Sequence, residues 1–410
     1  LPFSGPISGY TGSKDAIDRA YSWLKICVSE HGCRGPVHAR LPTRILRIEG
    51  HKKVRLQISD GQIGSYACLS HCWGDRLYAP LKTTSATLDA FLAEVPWKDL
   101  PRTFRHAITF CFRLGISYLW IDSLCILQDS DDDWRHEGSK MADIYESALL
   151  TLAATKAANP TEGCFSVAHD RYKSRYMSFP TEGLSTSNTT VQVRDILPHG
   201  EQGHDLKLPL FRRAWTFQER KLSPRVIHFT EHELGWECGK GTWCECLSPF
   251  RLFEREQQLG KTTLDASSSR LTWQIEWHRI VSEYTGKNLT YPRDIFPALQ
   301  GLAQRYSPVM GPYLAGLWDT TLIYSLTWFR TNRPKPLNPV PSGPLEEWRA
   351  PTWSWAAVDG KVRFSKIGIE APRIFASVES AMIVSKSNDP TGEVSAGILR
   401  LKGKSLIGRL

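Results

Sequence analysis

The sequence predicts an α/β protein with a parallel βαβ core and an additional C-terminal α+β region that is rich in antiparallel strands. The run Ile116–Ile121 is short, apolar and rich in aromatic and branched residues, which is typical of a strand covered on both faces. Another apolar strand, Tyr66–Ser70, and a helical pattern precede it, so these segments form a parallel crossover. The chain has 410 residues, a length that favours two packed units over one.

The first 65 residues are expected to form a helix and a hairpin that pack on the core. Residues 15–33 carry apolar side chains at helical spacing, which predicts an amphipathic helix. Leu41–Ile48 and Val54–Ile58 alternate between apolar and polar residues, which indicates a hairpin that turns around Gly50–Lys53.

Helices are predicted on both sides of the central strand. One starts near Asp99 and stops at Gly115, where glycine is typical of a helix end. The other follows the acidic turn Asp129–Asp133, whose carboxylates complement the positive end of a helix. Its apolar stripe runs from Trp134 to Leu152 at three- and four-residue steps, which predicts a single helix.

The chain is divided into residues 1–65, a core domain at 66–220 and the C-terminal α+β region at 221–410. The last region is expected to contain four strands and two helices. These are strands at Arg225–Phe229, Leu234–Cys238, Ala350–Ala356 and Ile398–Leu401, a helix at Leu271–Tyr284, and a helix containing Ile295, Leu299 and Leu302.

Composition and charge exclude several classes of protein. The net charge of +9 is modest for this length and the basic residues are scattered, so nucleic-acid binding is not expected. No stretch approaches the roughly 20 apolar residues that cross a bilayer, so a cytoplasmic protein without a membrane span is expected. The chain also lacks the G-x-G-x-x-G, Walker A, G-x-S-x-G and H-E-x-x-H motifs of common nucleotide-binding proteins, hydrolases and metalloproteases.

The ten cysteines lack the spacing of a secreted disulfide framework. Cys27, His31 and Cys33 form half of a candidate zinc site, and the other half would come from His232, Cys238, Cys244 and Cys246. Because neither group has a regular C-x2-C spacing, the sequence favours reduced thiols that bind no metal, and no cofactor is expected.

Polar residues follow both core strands at the point where each strand ends. His71 and Trp73 come after Tyr66–Ser70, and Asp122 follows the central strand. Open α/β sheets bind their ligands at the carboxyl ends of strands, so we expect His71 and Asp122 to meet at one edge of the sheet.

Glu137 lies inside the apolar stripe of its predicted helix. A carboxylate in such a position is unfavourable unless it is paired, hydrogen-bonded or facing a cleft. Two interpretations therefore remain open. Glu137 is either a working carboxylate, or a partly buried residue of the first helical turn that pairs with Lys140 or Arg135.

The core carries a strong resemblance to the fungal heterokaryon-incompatibility (HET) domain family. The segments of this chain that resemble the family's sequence blocks are Tyr66–Gly74, Leu100–Phe104, Tyr118–Ile126 with Gln128, Asp133–Ala148, Arg213–Glu219 and Trp353–Ala356. His71 stands where the family more often has tyrosine. The resemblance implies a HET domain at about residues 66–220 and a role in fungal non-self recognition, where this domain triggers regulated cell death.

The HET family is in turn distantly similar to TIR domains, some of which hydrolyse NAD through a glutamate on the helix after a central strand. Trp134 and Glu137 resemble that arrangement, with one residue fewer between them. The resemblance thus implies a TIR-like core with Glu137 and Asp122 as catalytic residues and NAD as a substrate. The ligand-binding residues would be Ser70, His71, Trp73, Ser123, Cys125, Gln128, Trp134, Arg213, Gln218 and Glu219.

Three functions stay open at this point. The first is cleavage of the N-glycosidic bond of a nucleotide such as NAD, at a cleft that contains Glu137. The second is a signalling module without catalysis, which pairs with itself or with an incompatibility partner protein. The third is a HET fold recruited to small-molecule metabolism.

Overall fold

The structure, a computed structural model, describes residues 6–180, 188–197, 208–247, 268–331, 348–365, 375–386 and 389–404. The chain divides into two compact units. One contains Leu1–Phe211 and Glu219–Thr262, and the other contains Arg212–Gln218 and Thr263–Leu410. The C-terminal region that the sequence suggests, 221–410, therefore begins inside the first unit and continues through the second.

The first unit contains helices and strands in alternation. Its helices are α1 Lys14–Ser29, α2 Leu88–Ala93, α3 Arg102–Arg113, α4 Asp122–Cys125, α5 Asp131–Ser139 and α6 Met141–Ser147, and α7 Ala214–Leu222 has residues in both units. Its strands are β1 Ala39–Arg40, β2 Arg44–Gly50, β3 Lys53–Ile58, β4 Ile63–Gly64, β5 Tyr66–Ser70, β6 Tyr118–Trp120, β7 Leu150–Ala153, β8 Arg175–Pro180, β9 Asn188–Val193, β10 Arg225–Phe229, β11 Leu234–Cys238 and β12 Gly241–Cys244.

An eight-stranded mixed sheet forms the centre of this unit, in the order β12-β11-β10-β7-β5-β6-β2-β3. The neighbours β6, β5, β7 and β10 run parallel, and antiparallel strands complete both sides. The predicted parallel core is therefore confirmed as part of a mixed sheet, and the central strand lies inside the sheet. All residues of β5, β7 and β10 are buried, as their apolar sequences require.

The predicted N-terminal hairpin is confirmed, and it extends the sheet. β2 pairs with β3 around the expected turn, and β2 also runs antiparallel to β6, with Leu46 opposite Leu119. The first helix is shorter than expected, because it ends at Ser29 and not at residue 33. Gly32 follows in the left-handed backbone conformation, which no helix interior accommodates.

The prediction of a single helix from Trp134 to Leu152 is wrong. The helical segment is divided at Lys140 into α5 and α6, and Leu150–Ala153 is strand β7, parallel to β5. Leu150, Thr151 and Leu152 are fully buried, so both faces of the sheet are covered at this strand. A short apolar run satisfies the spacing of a helix and of a buried strand equally well, and pairing with β5 selects the strand.

The second unit contains helices α8 Arg270–Tyr284, α9 Pro297–Met310 and α10 Leu322–Ser325, and the antiparallel pairs β13 Tyr313–Leu314 with β14 Leu317–Trp318, β15 Trp328–Arg330 with β16 Val362–Phe364, and β17 Ala376–Ser385 with β18 Val394–Gly403. The predicted helices and the last strand are confirmed. The predicted strand Ala350–Ala356 is wrong, because the segment forms turns and a 3-10 helix at Trp355–Ala357.

Gly316 organises the core of the second unit. Its carbonyl oxygen accepts hydrogen bonds from the indole nitrogens of Trp277 and Trp355, each at 2.9 Å. A Cβ atom on Gly316 would lie 2.4 Å from Trp355 Nε1, and its φ of +95° disfavours any other residue. Trp355 is therefore anchored by its side chain where the sequence suggested a strand.

Within the described part of the chain, no helix combines the length and the apolar character that crossing a bilayer requires.

The assignment of β7 as an inner strand makes a prediction for stability. Leu152→Ala should lower the free energy of unfolding by about 2–5 kcal/mol, because it leaves a cavity in a close-packed core. Leu77→Ala is the matched control, since that side chain is 86% exposed, and it should change stability by less than about 0.5 kcal/mol. Chemical denaturation measures both values, and equal losses would contradict the assignment.

Candidate functional site

The parallel register of β5 and β6 brings two polar segments to one edge of the sheet. Cys68 lies opposite Trp120, so His71, which follows β5, and Asp122, two residues after β6, come to the same edge. His71 Nδ1 lies 3.9 Å from Asp122 Oδ1. The structure thus brings together the two residues that the strand ends predict to be close.

The two carboxylate oxygens of Asp122 have separate donors. The indole nitrogen of Trp73 donates to Oδ2 at 2.8 Å, and the backbone nitrogen of Ser123 donates to Oδ1 at 2.7 Å. The side chain of Asp122 is 20% exposed. Asp122 therefore presents an oriented carboxylate that solvent still reaches.

Trp73 connects this carboxylate to the surface. Its ring is half-buried, and the ammonium group of the exposed Lys82 lies 5.0 Å from the ring centroid, within the range of a cation–π interaction. An aromatic face, a cation and a carboxylate therefore lie side by side at the sheet edge.

Tyr145 and Glu219 form a second, deeper part of the edge. Both are buried; the Tyr145 hydroxyl donates to the backbone oxygen of Leu69 at 3.3 Å, and the Glu219 carboxylate lies within electrostatic range of it. Burial and the charge of Glu219 raise the pKa of Tyr145 well above its usual value, so the hydroxyl stays protonated and donates. The apolar stripe predicted only that Tyr145 is a core residue. Its hydroxyl could have indicated a polar neighbour, because a buried tyrosine hydroxyl needs a hydrogen-bond partner.

Glu137 is only 1% exposed, and its carboxylate has an ion-pair partner. Lys140 Nζ lies 3.2 Å from Glu137 Oε1 and also donates to Thr43 Oγ1 at 3.0 Å. Thr43 precedes β2, which is antiparallel to β6, so Glu137 is close to the edge at which β6 ends. Among the described residues, no hydrogen bond or ion pair joins Glu137 to Asp122.

The remaining candidates after β6, on α4 and in the turn that follows it, are buried or hydrogen-bonded. Ser123 Oγ is buried and has no hydrogen-bond partner among the described atoms. Burial raises the pKa of Cys125 to about 12, so its thiol is neutral and a poor nucleophile. The Gln128 amide donates to the backbone oxygens of Asp122 and Ile126 and holds this loop in shape.

The other predicted site residues differ in position. Ser70 ends β5 directly before His71 and is buried, whereas Trp134 is 41% exposed on α5. Arg213 and Gln218 belong to the second unit, where the Gln218 side chain accepts a hydrogen bond from the backbone nitrogen of Gly301 at 2.7 Å. The residues that lie together at this edge of the first unit are His71, Trp73, Asp122 and Ser123.

The acidic turn is fixed to the sheet by a buried ion pair. Asp133 accepts hydrogen bonds from the guanidinium of Arg44 on β2 and from the backbone nitrogen of Leu127. Arg44 also donates to the backbone oxygen of Cys125 at 2.8 Å. These contacts determine the position of α5, and therefore that of Glu137.

Two groups of side chains could jointly ligate a metal in the described part of the chain, and neither contains a residue of this site. They are Cys27 with His31, Cys33 and Cys238, and Glu233 with Cys244 and Cys246.

The segment that builds this edge, from β5 to the start of α7, also matches a known family. Residues 66–219 match the family profile described as Heterokaryon incompatibility protein (HET). The chain contains a HET domain. Comparisons with curated proteins and with solved structures find no match to the chain. The HET domain thus spans His71, Asp122, Glu137, Tyr145 and Glu219, the residues whose contacts define the edge.

The hydroxyl groups of two buried tyrosines make a prediction for stability. Tyr145→Phe should lower the free energy of unfolding by about 0.5–1.5 kcal/mol, because the buried backbone oxygen of Leu69 loses its donor. Tyr66→Phe is the matched comparison, since its hydroxyl donates to the backbone oxygen of Ile144, and it should lose a similar amount. Denaturant titration measures both values, and an unchanged stability of Tyr145→Phe would argue against a buried hydrogen bond of this hydroxyl.

Proposed function

We propose that this protein acts in non-self recognition, and that its HET domain triggers regulated cell death by cleaving the N-glycosidic bond of a nucleotide such as NAD. The match of residues 66–219 to the HET family supports the first part. The observation that carries the second part is a buried carboxylate, Glu137, near the same sheet edge as the solvent-accessible carboxylate of Asp122.

The proposed reaction is a hydrolysis. Water adds to C1′ of the ribose while the bond from C1′ to the nicotinamide nitrogen breaks, and nicotinamide leaves with the electron pair of that bond. ADP-ribose and one proton are the other products. The transition state resembles an oxocarbenium ion, so a carboxylate held near the ribose stabilises its positive charge.

Substrate recognition is assigned to Trp73 and Lys82. The half-buried indole offers a face for stacking of a base, and the nearby ammonium group offers charge for a phosphate. The parallel order β6-β5-β7-β10 supports a doubly wound, TIR-like arrangement, in which ligands bind where strands end.

A signalling module without catalysis is the second candidate. The observation in its favour is the ion pair between Glu137 and Lys140, because a carboxylate with a cationic partner is explained by structure alone. Such a module would act through self-association or through an incompatibility partner protein.

Glu137→Gln distinguishes the two candidates, since it keeps the size of the side chain and removes its charge. If Glu137 is catalytic, nicotinamide release from NAD by the purified protein should fall by about 100-fold or more. Chromatography of the reaction mixture measures this rate, with an assay of cell death in parallel.

The control for this variant is Asp132→Asn, which makes the same acid-to-amide change on the solvent face of α5. Asp132 has a side chain that is 97% exposed, so its variant should retain the rate within a few-fold. A Glu137→Gln protein with undiminished nicotinamide release and cell death would refute the catalytic assignment. Cell death without any nucleotide cleavage by the unmodified protein would support the signalling module instead.

A further inference from the structure

Three cysteines and one histidine that are far apart in the sequence of the first unit lie together beside β11. Cys27 lies near the end of α1, His31 and Cys33 follow in the next loop, and Cys238 ends β11. Each offers one ligand atom, and the four atoms all lie within 4.8 Å of one another. Cys238 Sγ lies 3.5 Å from His31 Nδ1.

The helical repeat of α1 and the two-residue repeat of β11 bring Cys27 and Cys238 together. Trp23 of α1 packs against Trp236 of β11, with ring centroids 6.3 Å apart. Cys27 follows Trp23 by one helical turn, and Cys238 follows Trp236 by two strand residues, so each cysteine shares the face of its tryptophan. The packing of the two tryptophans therefore directs both thiols toward the same point.

The loop after α1 brings the other two ligands back to that point. Gly32 and Gly35 adopt the left-handed conformation, with φ of +59° and +108°. A Cβ atom on Gly35 would lie 2.3 Å from Pro224 Cγ, so only glycine lets the loop pass this close to the start of β10. The His31 ring stacks on Trp243, with centroids 5.3 Å apart, which restricts its orientation.

We propose that Cys27, His31, Cys33 and Cys238 together bind one structural Zn²⁺ ion. In a tetrahedron with Zn–S bonds of about 2.3 Å and a Zn–N bond of about 2.1 Å, ligand atoms are separated by about 3.6–3.8 Å. The separation of 3.5 Å between Cys238 Sγ and His31 Nδ1 is close to this size, and the other ligand atoms, all within 4.8 Å of one another, need only small shifts to reach it. Three thiolates and one imidazole complete four-coordination, which is typical of structural zinc and leaves no position for a substrate.

The buried Arg225 is an independent observation that favours a bound ion. Zn²⁺ with three thiolates and a neutral imidazole carries a single negative charge, which is unfavourable in a protein interior without a counter-charge. Arg225 is 2% exposed, pairs with Cys238 across β10 and β11, and lies within electrostatic range of the Cys27 thiol. Its guanidinium donates to the backbone oxygens of Leu149 and Gly35, and Nε has no partner among the described atoms.

The proposed zinc would connect α1 and its loop to the sheet. His31 and Cys238 are 207 residues apart in sequence, so the ion would close a long loop of the chain. Since such a site forms only on folding, zinc binding would stabilise the folded state. This role is separate from the HET edge and does not depend on the proposed catalysis.

Elemental analysis of the purified full chain tests the proposal, together with a comparison of three variants. The unmodified protein should contain one equivalent of zinc, whereas His31→Gln and Cys33→Ser, which change half-buried ligands, should lose it. Cys164→Ser is the matched control, because a serine hydroxyl can keep the hydrogen bond of this buried thiol to the Thr103 backbone oxygen. It should retain the zinc.

Cobalt substitution and thiol counting test the proposal on the unmodified protein, so they do not depend on whether the variants fold. Co²⁺ should give the intense visible bands of tetrahedral coordination and a thiolate charge-transfer band. Chelation should expose three additional thiols to a thiol reagent, one for each cysteine of the cluster. Protein that binds no zinc, that contains a Cys27–Cys238 disulfide, or that keeps its zinc in Cys33→Ser would overturn the proposal.

Discussion

The parallel pairing of β5 with both β6 and β7 is the constraint on which the first unit depends. β5 is buried along its whole length, and its backbone groups find partners only because a parallel strand lies on each side. The same register carries the chain after β5 and the chain after β6 to one edge, where His71 and Asp122 meet. The burial of apolar strands thus determines where the polar edge of the HET domain forms.

Local pattern was enough to predict strands β5, β6, β10 and β11, the N-terminal hairpin and the proximity of His71 to Asp122. It failed where two structures fit one pattern, as in Leu150–Ala153, where only pairing with β5 selects a strand. It also failed for Trp353–Trp355, where a buried indole bonds to the Gly316 carbonyl and the backbone turns. Contacts between residues distant in sequence, such as the hydrogen bond from the Tyr145 hydroxyl to the Leu69 backbone oxygen, follow from tertiary packing, which spacing does not encode.

Glu137 shows why burial alone does not identify a catalytic residue. Its carboxylate is removed from water, and the flexible, half-exposed Lys140 supplies the compensating charge. In the catalytic hypothesis, the developing positive charge of the ribose takes over part of that compensation. In the structural hypothesis, the ion pair fixes α5 beside Thr43 and has no further role. Both hypotheses give the Glu137 carboxylate a role, so Glu137→Gln separates them by activity and not by the loss of stability alone.

The cysteine cluster shows that irregular spacing in the sequence does not argue against a metal site. Regular C-x2-C pairs identify zinc sites in sequences because both ligands come from one turn, whereas here the fold itself supplies the geometry. α1 and β11 must already be packed before Cys27 and Cys238 are close, so the ligands belong to a site that folding completes. A buried arginine beside Cys27 and Cys238 is unfavourable without an anionic partner, and the proposed thiolate-rich zinc centre would provide one. The charge balance of the interior therefore supports the metal more directly than the order of the residues does.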